Sequence, residues 1–470
     1  MPNCLNCGRE LAAGSPINIC AACSEPATAQ AHAASFPVTR ALIAINVLVF
    51  LLMMARGVSL TQPTAQQLLR WGANLGTLTL DRDWWRLLAS VFVHIGVVHI
   101  AVNMWSLWNA GQLAEHIYGR ATYLFLYLFT GAAGSVASAA WHPFTPSAGA
   151  SGAIFGVVGA LLVTFKFGKL ELPHEVVKPV LSSLTAFTLF NVIFGAVRGG
   201  VDNAAHLGGL LSGALIGALM NRATERGSPS ARRRDMALLG VALVAVFLTV
   251  RRVEAYVIHL DRALRAESRN QRALAIDELR EVVKARPNTA AYWVKLGRAY
   301  AMNAQPEPAL AALKRGTELD ASSVEGWTAL GEIYLAQDKV AEALDAYRRV
   351  ATLAPNFVPA QINLGVALAR TGDTDGAIEA YKRAQALDRS YPLTYSFLGA
   401  AYLGARKYDD ALRTYQEWAQ LQPENPDAHF GIAQAYKGKG MQLEAQQALE
   451  RSMELREKLT APRKQTSTAQ

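Results

Sequence analysis

Seven long apolar stretches in the first half of the chain constrain its fold more than any other feature. They lie near residues 38–54, 88–110, 122–141, 150–168, 176–197, 204–220 and 236–250. A helix needs about 20 mostly apolar residues to span a bilayer. Charged residues make up 18% of the chain, and they become dense only from about Val253 onward. The pattern predicts a bundle of membrane-spanning helices followed by a water-soluble region.

The seventh stretch is the shortest, with fifteen residues between Asp235 and Arg251. At about 1.5 Å per residue it is shorter than a ~30 Å hydrocarbon core. However, Thr249 is its only polar residue, and a helix lying along the interface needs a polar face to leave in water. We therefore expect the stretch to span. The alternative is an interfacial helix, which would leave the rest of the chain in the cytoplasm.

Basic residues in the loops predict the orientation of the bundle. One set of alternate loops carries nine of them and the other set carries five. The first set is Arg120, Lys166, Lys169, Lys178, Arg222, Arg226, Arg232, Arg233 and Arg234, and the second is Arg56, Arg70, Arg82, Arg86 and Arg198. The positive-inside rule places the first set and the N-terminus in the cytoplasm. Seven crossings then leave the rest of the chain outside. No basic stripe with interleaved aromatics occurs, so we expect no nucleic-acid partner.

The second half of the chain repeats itself every 34 residues. Three positions keep this register: Leu296, Leu330, Leu364, Leu398 and Ile432; Gly297, Gly331, Gly365, Gly399 and Ala433; and Ala309, Ala343, Ala377, Ala411 and Ala445. This period and these small residues are typical of tetratricopeptide repeats, which stack helix pairs into a superhelix. Ala275, Leu279 and Pro287 indicate one further, degenerate unit upstream. We expect the repeats to bind a peptide or protein ligand.

All four cysteines of the chain lie in its first 23 residues. Cys4 and Cys7 form one Cys-x-x-Cys pair, and Cys20 and Cys23 form another after twelve intervening residues. Such spacing places four thiolates around one zinc ion, and two disulfides are the alternative. A reducing cytoplasm favours zinc, so we predict a structural zinc in a head that resembles the short ribbons of many bacterial membrane proteins.

Four polar residues inside the apolar stretches point to chemistry. Ser151 and His206 each lie at the start of a stretch, and His99 is four residues before Asn103. Polar residues at membrane depth are costly and tend to be functional. A serine hydroxyl needs a base to become a nucleophile, and His206 can supply it. The Ser151 N–H, the Asn103 carboxamide and the His99 ring are candidate oxyanion donors.

Small residues would let the two helices that carry Ser151 and His206 approach closely. They recur at four-residue spacing as Gly152, Gly156 and Ala160 in one stretch and Gly209, Gly213 and Gly217 in the other. Stripes of this kind permit close helix packing in membranes. A Ser–His contact is therefore sterically available.

Four motifs make the membrane half resemble the rhomboid intramembrane proteases. They are Gly149-Ala-Ser151-Gly152, His206 followed by Gly209 and Gly213, His99 four residues before Asn103, and Trp85-Arg86 ahead of the second stretch. The resemblance covers residues 38–221. It implies a six-helix core, a Ser–His dyad that opens to the external face, and cleavage of substrate transmembrane helices beside a small residue. Phe155 departs from the family, which often has a tyrosine there, and puts the rate in doubt.

Together these patterns predict an all-α protein in six parts. They are a zinc-ribbon-like head (1–25), a linker (26–37), a six-helix core (38–221), a basic loop with a seventh helix (222–250), tetratricopeptide repeats (251–458) and a disordered tail (459–470). The predicted activity is that of a serine endopeptidase of the cell membrane, the inner membrane in a bacterium, that needs no catalytic cofactor. The alternative is a catalytically inactive relative that acts as a binding scaffold through its repeats.

Overall fold

The computed structural model describes residues 36–168, 174–198, 200–225 and 229–460. Across these ranges the regular structure is helical, and one isolated β-bridge joins Asn74 to Ser147. The chain divides after Ile258 into two compact units. The predicted head, with Cys4, Cys7, Cys20 and Cys23, lies outside the described residues, as do most of the predicted linker and tail.

The first unit contains ten described α-helices. They are α1 (Pro37–Ala55), α2 (Ala65–Arg70), α3 (Gly76–Thr79), α4 (Arg86–Ala89), α5 (Val97–Tyr118), α6 (Arg120–Trp141), α7 (Ser151–Phe167), α8 (His174–Arg198), α9 (Asn203–Glu225) and α10 (Pro229–Val253). Five of these contain stretches long and apolar enough to cross a membrane, namely α1, α6, α8, α9 and α10. The bent pair of residues 86–92 and α5 makes a sixth candidate, and α7 is a shorter apolar helix of 17 residues. This is a multi-pass membrane protein.

The second apolar stretch does not form the continuous helix that its hydropathy predicts. Residues 86–92 form two short helical turns, and the chain then bends by 95° before α5 begins at Val97. Gly96 makes the bend, with φ at +90° and a Cβ position only 3.1 Å from the Leu60 carbonyl oxygen. A residue with a side chain is strained in this conformation. His94 therefore lies in a loop, and His99 lies in the first turn of α5.

The seventh stretch forms part of a longer helix than its apolar residues indicate. Helix α10 has 25 residues and extends about 37 Å at 1.5 Å per residue. Leu239 is buried, and Leu243 and Phe247 are half-buried, so one face packs against the bundle. Leu238, Val241 and other apolar residues are exposed on the remaining surface. An exposed apolar surface of this kind suits lipid rather than an interface with water.

Helices α7 and α9 pack more closely than any large side chain would allow. A Cβ at Gly209 would overlap the carbonyl oxygen of Gly152, and a Cβ at Gly213 would overlap that of Gly156. The Cβ position of Gly217 is 2.6 Å from the Ala160 carbonyl oxygen. The two predicted stripes of small residues therefore face each other along the whole contact.

The second unit is built from helix pairs. The first helix of the first pair begins just before the division between the units. The pairs are α11 (Ala255–Ser268) with α12 (Arg272–Ala285), α13 (Ala290–Met302) with α14 (Pro306–Leu319), α15 (Val324–Ala336) with α16 (Val340–Leu353), α17 (Val358–Arg370) with α18 (Thr374–Leu387), α19 (Pro392–Gly404) with α20 (Tyr408–Leu421), and α21 (Pro426–Gly438) with α22 (Gln442–Thr460). In three of the pairs a glycine of the first helix lies against a tyrosine ring of the second, and these contacts join Gly331 to Tyr347, Gly365 to Tyr381 and Gly399 to Tyr415.

Each pair turns through one residue with left-handed backbone geometry. These residues lie 34 positions apart and are Asn270, Ala304, Asp338, Gly372, Arg406 and Gly440, with φ between +54° and +87°. The series includes Asn270, in the turn of the upstream pair, whose Ala275 and Leu279 are buried. The degenerate unit predicted upstream of the five regular repeats therefore folds as a helix pair like the others.

Candidate active site

The loop before Ser151 is anchored on both sides, which fixes the start of α7. The Gly149 N–H donates to the Ser90 carbonyl at 2.9 Å, and Ser147 exchanges two 2.8 Å backbone hydrogen bonds with Asn74. The Ala150 N–H points to Nε2 of His94 at 3.5 Å. Ser151 is the first residue of α7, so its own N–H belongs to the helix N-terminus, where backbone donors have no intrahelical acceptor.

Ser151 and His206 meet across the contact between α7 and α9. The Oγ atom of Ser151 is 2.9 Å from Nε2 of His206, a hydrogen-bond distance. His206 is only 6% exposed. The pair can meet because the facing glycines bring the two helix backbones together. A nucleophile within hydrogen-bond reach of a base is the arrangement that covalent catalysis requires.

The ring of Phe155 lies one turn after Ser151 and covers His206. The two rings are parallel within 6°, with centroids 4.2 Å apart. The ring of Phe187 on α8 packs against Phe155 in turn, with 5.6 Å between the two ring centroids. Stacking restricts the rotation of the His206 ring and needs no phenolic hydroxyl, so the absence of a tyrosine leaves this contact in place.

His99 and Asn103 lie beside the same loop. Nδ1 of His99 accepts a hydrogen bond from the Ile95 N–H at 3.3 Å, which leaves the proton of a neutral ring on Nε2. That Nε2 is 3.0 Å from the Cβ position of Gly149, and Nδ2 of Asn103 is 3.7 Å from it. Nδ2 of Asn103 is buried and has no hydrogen-bond partner among the described residues. Both side chains therefore offer donors next to Ser151.

Arg86 holds the loop between α1 and α5 together through its side-chain contacts. Its Nη1 donates to the carbonyls of Leu69 and Ala73 at 2.7 and 3.1 Å, and its Nε pairs with Asp83 at 2.9 Å. The guanidinium also lies 4.6 Å from the centre of the Trp85 ring. The motif Trp85-Arg86 thus ties together the loop between α1 and α5.

A cavity of about 660 Å³ surrounds the Ser–His pair. Its lining includes residues from α5, α6, α7, α8 and α9, with Val102, Phe187 and Phe194 among its apolar members and Asn191 and His142 among its polar ones. The cavity has the mixed character of a ligand site, with a largely apolar wall and a few convergent polar groups.

Asp202 is a cavity residue that the sequence reasoning missed. It lies immediately before α9 and four residues before His206, and its Oδ1 accepts from the Ala205 N–H at 2.9 Å. An acidic residue at a helix start, one turn from a candidate base, was the available signal. Among the described residues no group of three or more His, Cys, Asp or Glu side chains could hold a metal. The four cysteines are outside those residues.

Comparison with known proteins finds a matching domain in each half of the chain. Residues 81–223 match the Rhomboid domain, and residues 303–357, 328–392 and 398–453 match Tetratricopeptide repeat. Rhomboid protease GluP of Bacillus subtilis is 37% identical over 166 residues, which are 35% of this chain and 31% of GluP. Rhomboid protease AarA of Providencia stuartii is 30% identical over 163 residues, which are 30% of this chain and 57% of AarA.

The alignments therefore span between about a third and somewhat over half of these relatives' lengths. Among solved structures, a crystal structure of MamA is 27% identical, with a TM-score of 0.34, and the match covers 35% of this chain and 96% of MamA. The chain carries a rhomboid domain, the domain of an intramembrane protease family, and its C-terminal half carries tetratricopeptide repeats. The predictions of both are confirmed.

Proposed function

We propose that this protein is an intramembrane serine endopeptidase that cleaves transmembrane segments of other membrane proteins. The 2.9 Å contact between Ser151 Oγ and His206 Nε2 carries the proposal. It joins a nucleophile and a base inside a membrane bundle, next to the Asn103 amide nitrogen, which has no partner among the described residues, and in a cavity of about 660 Å³.

In the proposed reaction, Ser151 Oγ attacks the scissile carbonyl carbon and its proton passes to Nε2 of His206. The Ser151 N–H, Nδ2 of Asn103 and Nε2–H of His99 donate to the oxyanion of the tetrahedral intermediate. The intermediate collapses as His206 gives the proton to the leaving amine. His206 then takes a proton from a water molecule as the water oxygen attacks the acyl-enzyme, and it gives that proton to Ser151 Oγ as the ester bond breaks. No cofactor takes part in these steps.

The contacts of α10 support an external location for the repeats. Phe247 and Val250 near its end pack with Leu80 and Ala139, and Ala139 lies at the end of α6, just before His142 of the cavity wall. Helix α10 thus ends towards the side of the bundle on which the cavity lies. We propose that this is the external face, the periplasm in a bacterium, and that the repeats bind substrate ectodomains or partner proteins there.

For the N-terminal head we propose a structural zinc ion held by Cys4, Cys7, Cys20 and Cys23 in the cytoplasm. The spacing of the two cysteine pairs supports it, because a segment of some 25 residues has too small a core to fold without a metal or disulfides.

The activity is tested with a fluorophosphonate probe and a model transmembrane substrate in detergent or liposomes. The wild-type chain should be labelled and should cleave, whereas Ser151→Ala and His206→Ala should do neither. Ser212→Ala is a matched control, because Ser212 is on α9 but its hydroxyl donates to the Gly209 carbonyl. Turnover near wild type in either dyad variant, or no labelling of wild type, contradicts the proposal and favours an inactive scaffold.

A further inference from the structure

Asp202 is fixed to the turn of helix that carries His206. Its Oδ1 accepts from the Ala205 N–H at 2.9 Å, and its main-chain carbonyl accepts from the His206 N–H at 3.1 Å. Asp202 is therefore the N-cap of α9. Because the cap and His206 share one turn, the carboxylate keeps its position relative to the imidazole.

Capping uses only half of this carboxylate. Its other oxygen, Oδ2, is buried and has no hydrogen-bond partner among the described residues, and Nδ1 of His206 is buried and unpartnered in the same way. Both residues line the cavity around Ser151. An unsatisfied buried carboxylate oxygen costs free energy, and serine would cap the helix as well without that cost. The cap alone does not explain why the residue is an acid.

Charge gives Asp202 a role that a neutral cap lacks. When Ser151 loses its proton, the His206 ring becomes a cation in a largely apolar cavity. Asp202 and His99 are ionisable residues that line the same cavity as that ring, and of the two only Asp202 can carry a negative charge. Attraction between opposite charges is strong where the effective dielectric is low, so the carboxylate lowers the free energy of the imidazolium.

We infer that Asp202 is a positioning residue for His206 and that its carboxylate stabilises the imidazolium form of that ring. The proton from Ser151 Oγ stays on Nε2 of His206 until it passes to the leaving amine, and Asp202 takes none. The dyad thus has an acidic third member that comes from a helix cap. This inference rests on the proposed protease function.

The test is to remove the charge while keeping the cap. Asparagine and serine both accept the capping N–H, so Asp202→Asn and Asp202→Ser should leave the unfolding temperature of the detergent-solubilised full chain unchanged. Both should lower kcat by about tenfold or more, with KM changed by less than a factor of about two. The rate of fluorophosphonate labelling, counted per folded protein, should fall by the same factor. Glu175→Gln is the matched control, because Glu175 is exposed at the start of α8 and does not line the cavity.

The outcomes separate the inference from the proposed function. If wild type is neither labelled nor active, the protease function itself fails. If wild type is active and the Asn and Ser variants match it, Asp202 is only a cap and the inference is overturned. Loss of activity in step with a lower unfolding temperature and a higher KM also overturns it, because that pattern shows a structural role.

Discussion

The ring of Phe155 lies parallel to the imidazole of His206, 4.2 Å away between centroids. Since Phe155 is on the helix that begins with Ser151, this stack connects the candidate nucleophile and its base through a second contact. It holds the ring plane while Nε2 stays 2.9 Å from Ser151 Oγ.

Replacing Phe155 by leucine should slow catalysis without unfolding the protein. Leucine fills most of the volume but offers no flat face, so the His206 ring gains rotational freedom. A stacking contact contributes about 0.5–1.5 kcal/mol, and we expect kcat to fall by up to about tenfold. Phe155→Tyr keeps the face and should alter kcat by less than that.

The control for this change is Phe165→Leu, a buried position nearly three turns further along α7. This variant makes the same change of side chain at a position that does not contact His206, so it should leave kcat unaffected. Equal losses in the two leucine variants, measured with a model transmembrane substrate, would mean that the stack has no special role.

Asn103 should contribute to the rate through its free amide. Asn103→Ala removes one oxyanion donor, which costs on the order of 10²–10³ in kcat. Asn109→Ala is a suitable comparison, because Asn109 is on the same helix and its amide donates to the Trp105 carbonyl. The kcat of both variants is measured with a model transmembrane substrate. A kcat for Asn103→Ala within about threefold of wild type would exclude Asn103 from the oxyanion site.

The all-helical fold and the candidate site could be predicted from the sequence. The bend before α5 and the full length of α10 could not. Stripes such as Gly209 and Gly213 are local patterns, and their contact with Gly152 and Gly156 follows from spacing alone. The bend at Gly96 was missed because hydropathy does not record a left-handed backbone. Likewise, α10 exceeds its apolar stretch because arginines at both ends are included in the helix.

Ala304 occupies a position in the repeats that disfavours alanine. Its φ is +54°, and left-handed geometry costs a residue with a Cβ roughly 1–2 kcal/mol. Ala304→Gly removes this strain, partly offset by the greater freedom of glycine in the unfolded chain. We expect a net gain of about 0.5–1 kcal/mol in the free energy of unfolding of the repeats.

Gly372 gives the opposite test at the equivalent turn. Its φ is +87° and a Cβ there would meet no atom within 4 Å, so Gly372→Ala adds backbone strain without a clash. The lower freedom of alanine in the unfolded chain partly offsets this strain, and we expect a net destabilisation of about 0.5–1 kcal/mol. Thermal unfolding of the two full-length variants gives both values. Shifts of the same sign would refute this account of the turns.

The head should contain one zinc ion per chain. Metal analysis of the purified full-length protein should give a stoichiometry near one, and Cys7→Ser should abolish it because three thiolates no longer complete a tetrahedral site. Fluorophosphonate labelling of Ser151 should persist, since the head and the dyad are proposed to lie on opposite sides of the membrane. Disulfide-bonded cysteines in the native protein, or reduced cysteines without zinc, would contradict the prediction.

The last prediction concerns the side of the membrane on which the repeats lie. Helix α10 is about 37 Å long and its end packs near the end of α6, so we expect the repeats to be external. All native cysteines lie in the first 23 residues, so a label on any later peptide comes from an introduced thiol. Ser322→Cys reports on the repeats, and Ser230→Cys reports on the opposite end of α10. In intact cells with a permeabilised outer layer, a membrane-impermeant maleimide should label Cys at 322 and leave Cys at 230 unlabelled until lysis. If both positions are protected until lysis, α10 does not cross the membrane and the repeats are cytoplasmic.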